Sequence, residues 1–157
     1  MKSAIDYLYF LTSRSLETCH TSNRFSALGA VIRDDKGKIV AARARKIFGA
    51  FSKESGVLLA LRDGLLLAQF LGVPVWVAEI DFSPVCSLLC SPDSYFGDAS
   101  FIIQDVIHLM SAIGVSSCRA ISREGNSLAC NLGKSVFKSN EEILLLDNSF
   151  CCMFSSY

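Results

Sequence analysis

The sequence predicts an α/β fold in which a mixed β-sheet carries a helix across one face. Three stretches support this prediction: two apolar runs around a turn at residues 34–37, a long apolar helix at residues 52–71, and a buried strand at residues 74–81. Their order along the chain is strand, strand, helix, strand. A hairpin followed by a helix and another strand builds a mixed sheet.

The first two strands are predicted from the turn between them. Residues 27–32 and 38–44 are apolar runs, and the Asp-Asp-Lys-Gly sequence between them has turn chemistry, with Gly37 able to adopt positive φ. Such a pattern is typical of an antiparallel hairpin. Because side chains alternate along a strand, Arg43 and Arg45 are expected on one face of the second strand.

The clearest helix is predicted between Ser52, which can cap its first turn, and Gly72, which ends it. Its apolar stripe has three- and four-residue spacing and consists of Leu58, Leu61, Leu65 and Ala68. Further leucines widen this stripe around most of the helix. A helix with so little polar surface is expected to be buried on more than one side.

The strand at residues 74–81 has the sequence PVWVAEID, and its apolar residues, Trp76 among them, are expected in the middle of the core. We expect Glu79 to be a solvated or salt-bridged surface acid. Asp81 ends the strand, where a carboxylate is costly unless it leaves the sheet or binds something. It is interpreted either as an acid near a metal or phosphate, or as the cap of a short helix that begins near Phe82.

The second half of the chain predicts further helices and an edge strand. A short helix is expected at residues 82–90, an amphipathic helix at 98–113, and an edge strand at 115–121. Asn126 can cap a last helix.

Three regions are predicted along the chain. Residues 1–24 form an atypical segment in which 4–11, AIDYLYFL, is a candidate replacement for a first strand. Residues 25–138 form the main domain, and residues 139–157 form a tail with one apolar clip at 143–146.

Composition gives a nucleic-acid binder no support but does not exclude a local basic patch. The formal net charge is zero, 51% of the residues are hydrophobic and 19% are charged. Dedicated nucleic-acid binders usually carry a basic surplus.

The cysteines are odd in number and irregularly spaced, with no C-x-x-C pair: Cys19, Cys86, Cys90, Cys118, Cys130, Cys151 and Cys152. This pattern argues against a disulfide framework or a zinc site, and favours mostly buried thiols in a reducing compartment.

No membrane association is expected, since no apolar run approaches the ~18 residues of a membrane span. The first eleven residues lack a convincing signal peptide, because Asp6 interrupts the apolar run. We therefore expect an intracellular protein of the cytoplasm or nucleus. The oligomeric state cannot be read from the sequence.

Three blocks of sequence resemble the ribonuclease H-like domain of many plant proteins, which is similar to the ribonuclease H portion of retrotransposon reverse transcriptases. They are GAVIRDDKGKIVAA, LLALRDGLLLAQFLGVPVWVAEID and ISREGNSLACNLGKSVF. The resemblance covers residues 25–137. It implies the ribonuclease H-like fold, a five-stranded mixed sheet with helices on both faces, here with its first strand degenerate or replaced.

The resemblance also implies a site at which four acids hold two divalent cations for phosphodiester hydrolysis. Asp81 matches the acid at the end of the E-x-D strand. The helix position that should be Glu is Val57, and the last-helix position is Cys130. Valine cannot bind a metal and a thiol is a poor ligand for magnesium. The first-strand Asp is expected shortly before residue 27, but residues 18–23 contain no Asp.

Asp6, Glu54 and Glu124 are the candidate substitutes for the missing acids. The candidate nucleic-acid contacts are basic or polar residues near the site or on the second strand: Arg33, Arg43, Arg45, Lys46, Arg123 and Asn126. For the basic residues of the hairpin a solvated strand face is the favoured interpretation, because the net charge is zero.

The leading hypothesis is a ribonuclease H-like domain that binds nucleic acid, of the RNA–DNA hybrid class, and has little or no nuclease activity. One alternative is an active magnesium-dependent ribonuclease acting on RNA–DNA hybrids. The other is a non-catalytic interaction module or a remnant of a mobile element. Magnesium is expected only if the protein is active, and otherwise no cofactor.

Overall fold

The protein was analysed as a computed structural model, which describes residues 7–12, 25–49, 51–94, 97–139 and 141–147. The strands are β1 Tyr7–Thr12, β2 Phe25–Arg33, β3 Ile39–Phe48, β4 Val77–Ile80, β5 Ser117–Ala120 and β6 Ile143–Leu146. The α-helices are α1 Lys53–Leu71, α2 Ser83–Cys90, α3 Ser100–Ile113 and α4 Ser127–Ser139.

The strands form one mixed sheet in the order β5-β4-β1-β2-β3-β6. β1 runs antiparallel to β2 and parallel to β4, and β5 runs parallel to β4. The predicted hairpin is confirmed by the antiparallel pairing of β2 with β3. Within the described ranges the sheet has six strands rather than the expected five, because β6 from the tail pairs with Ala41–Ala44 of β3. This pairing covers part of a strand that would otherwise leave its backbone groups open.

The first strand is present in the centre of the sheet. β1 lies between β2 and β4, so the backbone groups of both neighbours find partners there. It coincides with most of the apolar stretch that was the candidate replacement strand. Asp6 lies outside the described residues. The division of the chain at residues 24 and 138 stays a prediction.

The sheet carries helices on both faces, as expected. Leu28 of β2 packs with Leu59 and Ala60 of α1, so α1 covers one face. The next residue, Gly29, faces α4 on the other side, where a Cβ atom at Gly29 would lie 2.6 Å from the carbonyl oxygen of Ala129. Only a residue without a side chain permits this approach of helix and strand.

The main core lies between the sheet and the helices α1 and α3, around large side chains that are fully buried. Ser52 caps α1 by accepting a hydrogen bond of 3.1 Å from the Ser55 backbone N–H, and Gly72 ends it with a positive φ of 65°. Both helix ends were predicted. None of the described helices combines the length and apolar character needed to cross a bilayer.

The strand before Asp81 is shorter than predicted, since β4 begins at Val77. Val75 is buried, but Trp76 is 49% exposed, which corrects its expected place in the core. The backbone of Trp76 stabilises this segment instead, because its carbonyl oxygen accepts hydrogen bonds from the Ser116 N–H and hydroxyl, each 2.8 Å long. The side chain therefore need not be buried to fix this segment.

Two further expectations are corrected near the same strand. Glu79 is salt-bridged, to Arg119 of β5, but it is buried rather than at the surface. The N-cap residue of α2 is Phe82 and not Asp81, so the capping interpretation of Asp81 does not hold.

The expectation of mostly buried thiols is also corrected. Among the described cysteines only Cys130 is buried, whereas Cys86 and Cys118 are half-buried and Cys90 is exposed; all four are free thiols.

Candidate functional site

The candidate site lies at the end of the sheet where β4 finishes. Ile80 lies beside Phe10 of β1, Phe10 beside Ala30 of β2, and Ala30 beside Arg43 of β3. Asp81 therefore leaves the sheet at the end where the antiparallel β2 begins and β3 finishes. At this end, segments that are distant in the chain bring their side chains together.

Asp81 has three polar neighbours from two helical regions. Lys53 comes from the first turn of α1, while Arg123 and Asn126 come from the turn that leads into α4. Burial is the largest influence on Asp81 and raises the pKa of its carboxyl group. The positive charges of Lys53 and Arg123, a backbone hydrogen bond and a hydrogen bond with the Asn126 side chain act in the opposite direction. The Asp81 carboxylate thus lies within the electrostatic influence of two side-chain cations.

The ammonium group of Lys53 lies over the face of an aromatic ring next to Asp81 in the chain. Its ammonium nitrogen lies 4.5 Å from the centroid of Phe82, the residue that follows Asp81. A cation over a ring face is attracted by the negative potential of that face. The positive end of the α1 dipole disfavours a lysine in the first turn. Phe82 and Asp81 together offset that cost.

The two positions at which the resemblance implies metal-binding acids carry Val57 and Cys130, and both side chains are buried. Val57 is 1% exposed and packs in the main core. Cys130 is buried with Val31, Ala42 and Ala129. Among the described residues there is no group of three or more His, Cys, Asp or Glu side chains placed to hold a metal ion. Magnesium requires oxygen ligands, so the described side chains do not fit a two-magnesium site.

Two candidate substitute acids, Glu54 and Glu124, directly follow Lys53 and Arg123 in the chain. Glu54 lines an open cavity of about 550 Å³ at the start of α1, together with Asp98. Glu124 is exposed in the turn before α4, where its carbonyl oxygen accepts a hydrogen bond from the Ser127 N–H. Their roles as metal ligands stay predictions, as does that of Asp6.

The predicted nucleic-acid contacts are distributed over both ends of the sheet. Arg123 and Asn126 lie at Asp81. Arg33 lies at the opposite end, because it pairs with Tyr7, which pairs with Val77.

The two hairpin arginines are engaged in ion pairs. Arg43 Nε lies 2.7 Å from Glu142 Oε1. Arg45 donates two hydrogen bonds to Asp63 of α1. Whether any of these residues contacts nucleic acid stays a prediction.

Sequence reasoning missed Lys53 and an aromatic pair at the same end of the sheet. Phe25 and Phe48 meet edge to face with centroids 5.5 Å apart, and the Phe48 side chain is 69% exposed. Lys46 places its ammonium 4.6 Å from the Phe25 centroid. Lys53 could have been found from the sequence, because a lysine in the first turn of a helix is unfavourable and indicates a nearby compensating group. The aromatic pair depends on strand register, which the sequence did not give residue by residue.

Comparison with protein families matches residues 15–136 to the family described as reverse transcriptase-like. No curated protein matches. Among solved structures, RNase H1 from the halophilic archaeon Halobacterium salinarum NRC-1 is similar with a TM-score of 0.70 and 19% identity, over 84% of this chain and 96% of that chain.

Two further similar structures are complexes. LC11-RNase H1 in complex with an RNA/DNA hybrid, from a protein isolated from compost, has a TM-score of 0.70 and 17% identity over 86% of this chain and 99% of that chain. The foamy viral protease-reverse transcriptase in complex with an RNA/DNA hybrid has a TM-score of 0.62 and 14% identity, over 85% of this chain and 20% of that chain. At these identities the likeness shows the fold, which is ribonuclease H-like as expected.

Proposed function

The chain belongs to the reverse transcriptase-like family, and on that premise we propose that it is a nucleic-acid-binding ribonuclease H-like domain, of the plant type, with little or no nuclease activity. The observation that carries this proposal is the surroundings of Asp81. Two side-chain cations, Lys53 and Arg123, act on the one acid retained from the family's metal site. These charges act on the pKa of Asp81 in the direction that a bound cation would, although burial still keeps that pKa above the ordinary value.

Exposed cations at this end of the sheet offer contacts for phosphate. Lys53 and Arg123 are both exposed, and each is followed in the chain by an acid, Glu54 or Glu124. Lys46 adds a further cation beside the Phe25 and Phe48 rings. Lysine and arginine position nucleic-acid backbones through phosphate contacts, and exposed aromatic rings can stack on bases or sugars.

The zero net charge conceals an uneven distribution of charge along the chain. Residues 63–118 contain no Lys or Arg, so all 15 basic residues lie outside this segment. The same segment contains six acids: Asp63, Glu79, Asp81, Asp93, Asp98 and Asp105. Among the described residues, the basic side chains are therefore confined to β2, β3 and the turn between them, the first part of α1, and the segment from Arg119 to the end of α4. A neutral protein with such a division can still attract a polyanion locally.

The proposed ligand class is an RNA–DNA hybrid duplex. Two similar structures are complexes with RNA/DNA hybrids, and both share the fold. Carrying that ligand over to this chain is part of the proposal, and the cations around Asp81 support it.

Binding can be tested with a fluorescently labelled hybrid duplex, followed by anisotropy over a range of salt concentrations. We expect Lys53→Gln and Arg123→Gln each to weaken binding several-fold and to reduce the salt slope by about one, as removal of one phosphate contact does. Lys36→Gln is the matched control, because it removes one exposed charge at the turn at the opposite end of the sheet. Equal effects of all three variants would contradict the proposed location.

Hydrolysis is tested separately on the same duplex with magnesium and with a chelator. We expect no magnesium-dependent cleavage by the folded protein. Cleavage that Asp81→Asn abolishes would establish instead the active hybrid ribonuclease. If the folded protein binds no hybrid even at low salt, the interaction module is the better account.

A further inference from the structure

Two cysteines meet at the β5 edge of the sheet, and a third lies one helical turn away from the first of them. Cys86 and Cys90 lie four residues apart on α2, and Cys118 lies on β5. The sulfur atoms of Cys86 and Cys118 are 3.4 Å apart, although these residues are 32 positions apart in the chain. All three are free thiols. Neither the ion pairs of the sheet nor the site at Asp81 uses them.

We propose that Cys86 and Cys118 form a thiol–disulfide exchange site for small disulfides of the glutathione type. A disulfide bond is about 2.05 Å long, so the two sulfurs must approach by roughly 1.3 Å. Side-chain torsions of two half-buried cysteines at the surface of the sheet can supply this movement. The inference is independent of the proposed nucleic-acid function.

The exchange has two balanced steps. The Cys86 thiolate attacks one sulfur of the small disulfide, forms a mixed disulfide and releases one small thiolate. The Cys118 thiolate then attacks the Cys86 sulfur and displaces the second small thiolate. Two protein thiols become one disulfide, and one small disulfide is reduced to two small thiols, which take up the two protons.

Burial shapes the rate of this exchange. It raises the pKa of the Cys86 thiol and, more strongly, that of Cys118. Because the thiolate is the attacking species, a raised pKa slows the reaction at neutral pH. The pair therefore responds to sustained oxidation rather than to a brief exposure. The bond would tie α2, which follows Asp81, to the edge strand β5.

The test uses a background in which Cys19, Cys151 and Cys152 are replaced by serine. The folded protein is equilibrated with oxidised glutathione, its remaining thiols are alkylated, and the peptides are mapped by mass spectrometry without reduction. Trypsin leaves residues 63–119 in one peptide, because no Lys or Arg lies between Arg62 and Arg119. A second digestion with chymotrypsin cuts within Leu88–Leu89 and separates Cys86 from Cys90.

We expect a Cys86–Cys118 cross-link that lowers the mass by two hydrogens and is reversed by reduced glutathione. Cys118→Ser should abolish the cross-link, and Cys90→Ser, the matched control, should retain it. Full alkylation of both Cys86 and Cys118, or a cross-link through Cys90, would overturn the proposal.

A second measurement needs no substitution at the pair itself. The oxidised and reduced forms of the background protein have the same sequence, and their urea unfolding midpoints can be compared directly. We expect a higher midpoint for the oxidised form, since the cross-link restricts the unfolded chain. An equal or lower midpoint would show that the folded structure does not accommodate the bond.

Discussion

Arg45 of β3 donates two hydrogen bonds to the carboxylate of Asp63 in α1, and this contact links the sheet to α1. The Arg45 Nη2 atom lies 2.6 Å from Asp63 Oδ1, and Nε donates to the other oxygen. Asp63 is 4% exposed in an otherwise apolar part of α1. The hydrogen bond with Asp63 raises the pKa of Arg45, so the guanidinium group stays charged. An acid so placed is tolerated because its partner compensates its charge.

Arg45→Met is expected to destabilise the protein by about 3 kcal/mol, because it leaves the Asp63 charge buried without this partner. The double variant Arg45→Met/Asp63→Leu should recover most of that loss, since it removes both charges together. Urea unfolding of the two single variants and the double variant measures the coupling. Additive losses in the double variant would show that the pair contributes little.

Gly29→Ala is expected to destabilise the protein by about 1–3 kcal/mol, the usual cost of overpacking. The added methyl group would lie 2.6 Å from the Ala129 carbonyl oxygen, so α4 must move away from β2. Gly125→Ala is the matched control, because its methyl group would meet no atom closer than 3.4 Å. Urea or thermal unfolding compares the two, and equal losses would argue against close packing of α4 at Gly29.

Asp81→Asn is expected to raise the free energy of unfolding at pH 7. Burial raises the pKa of Asp81 above the ordinary value of 3.8, so the folded protein binds the Asp81 proton more tightly than the unfolded chain does. The contribution of Asp81 to stability is therefore fully present below the ordinary pKa and is lost as the pH rises through the raised value.

Asparagine imitates the protonated form, so its advantage should shrink as the pH falls towards 3.8. Unfolding of both proteins across this pH range measures the difference. An advantage that is constant with pH would mean that the charge of Asp81 is not its cause.

Magnesium is expected to leave the melting temperature of the natural protein unchanged. The double variant Val57→Glu/Cys130→Asp introduces carboxylates at the two positions where the resemblance implies metal-binding acids. We expect this variant to melt below the natural protein in a chelator, because Val57 is buried, and to gain several degrees on addition of magnesium. Adding Asp81→Asn should remove the gain. A magnesium-dependent rise in the natural protein would contradict the proposed loss of the site.

The local elements of the fold could be predicted because their signals are local. The turn at residues 34–37, the Ser52 cap and the Gly72 stop each depend on side chains within a few positions. β6 was interpreted as a tail because a four-residue apolar run does not identify its partner strand. The sequence predicts Trp76 in the core because an apolar residue that directly precedes a strand cannot be told from a residue of the strand itself.

The sequence by itself determined the order of strands and helices and the hairpin. It also predicted Asp81 as a retained family acid, with Val57 and Cys130 at two positions where the resemblance implies acids. Only the tertiary structure decided which side chains meet. Asp81 lies within the electrostatic influence of Lys53, Arg45 binds Asp63, and the Cys86 sulfur approaches that of Cys118. The reason is physical: turns and caps are fixed by neighbours in the chain, whereas these contacts depend on strand register and helix packing between segments that are far apart in sequence.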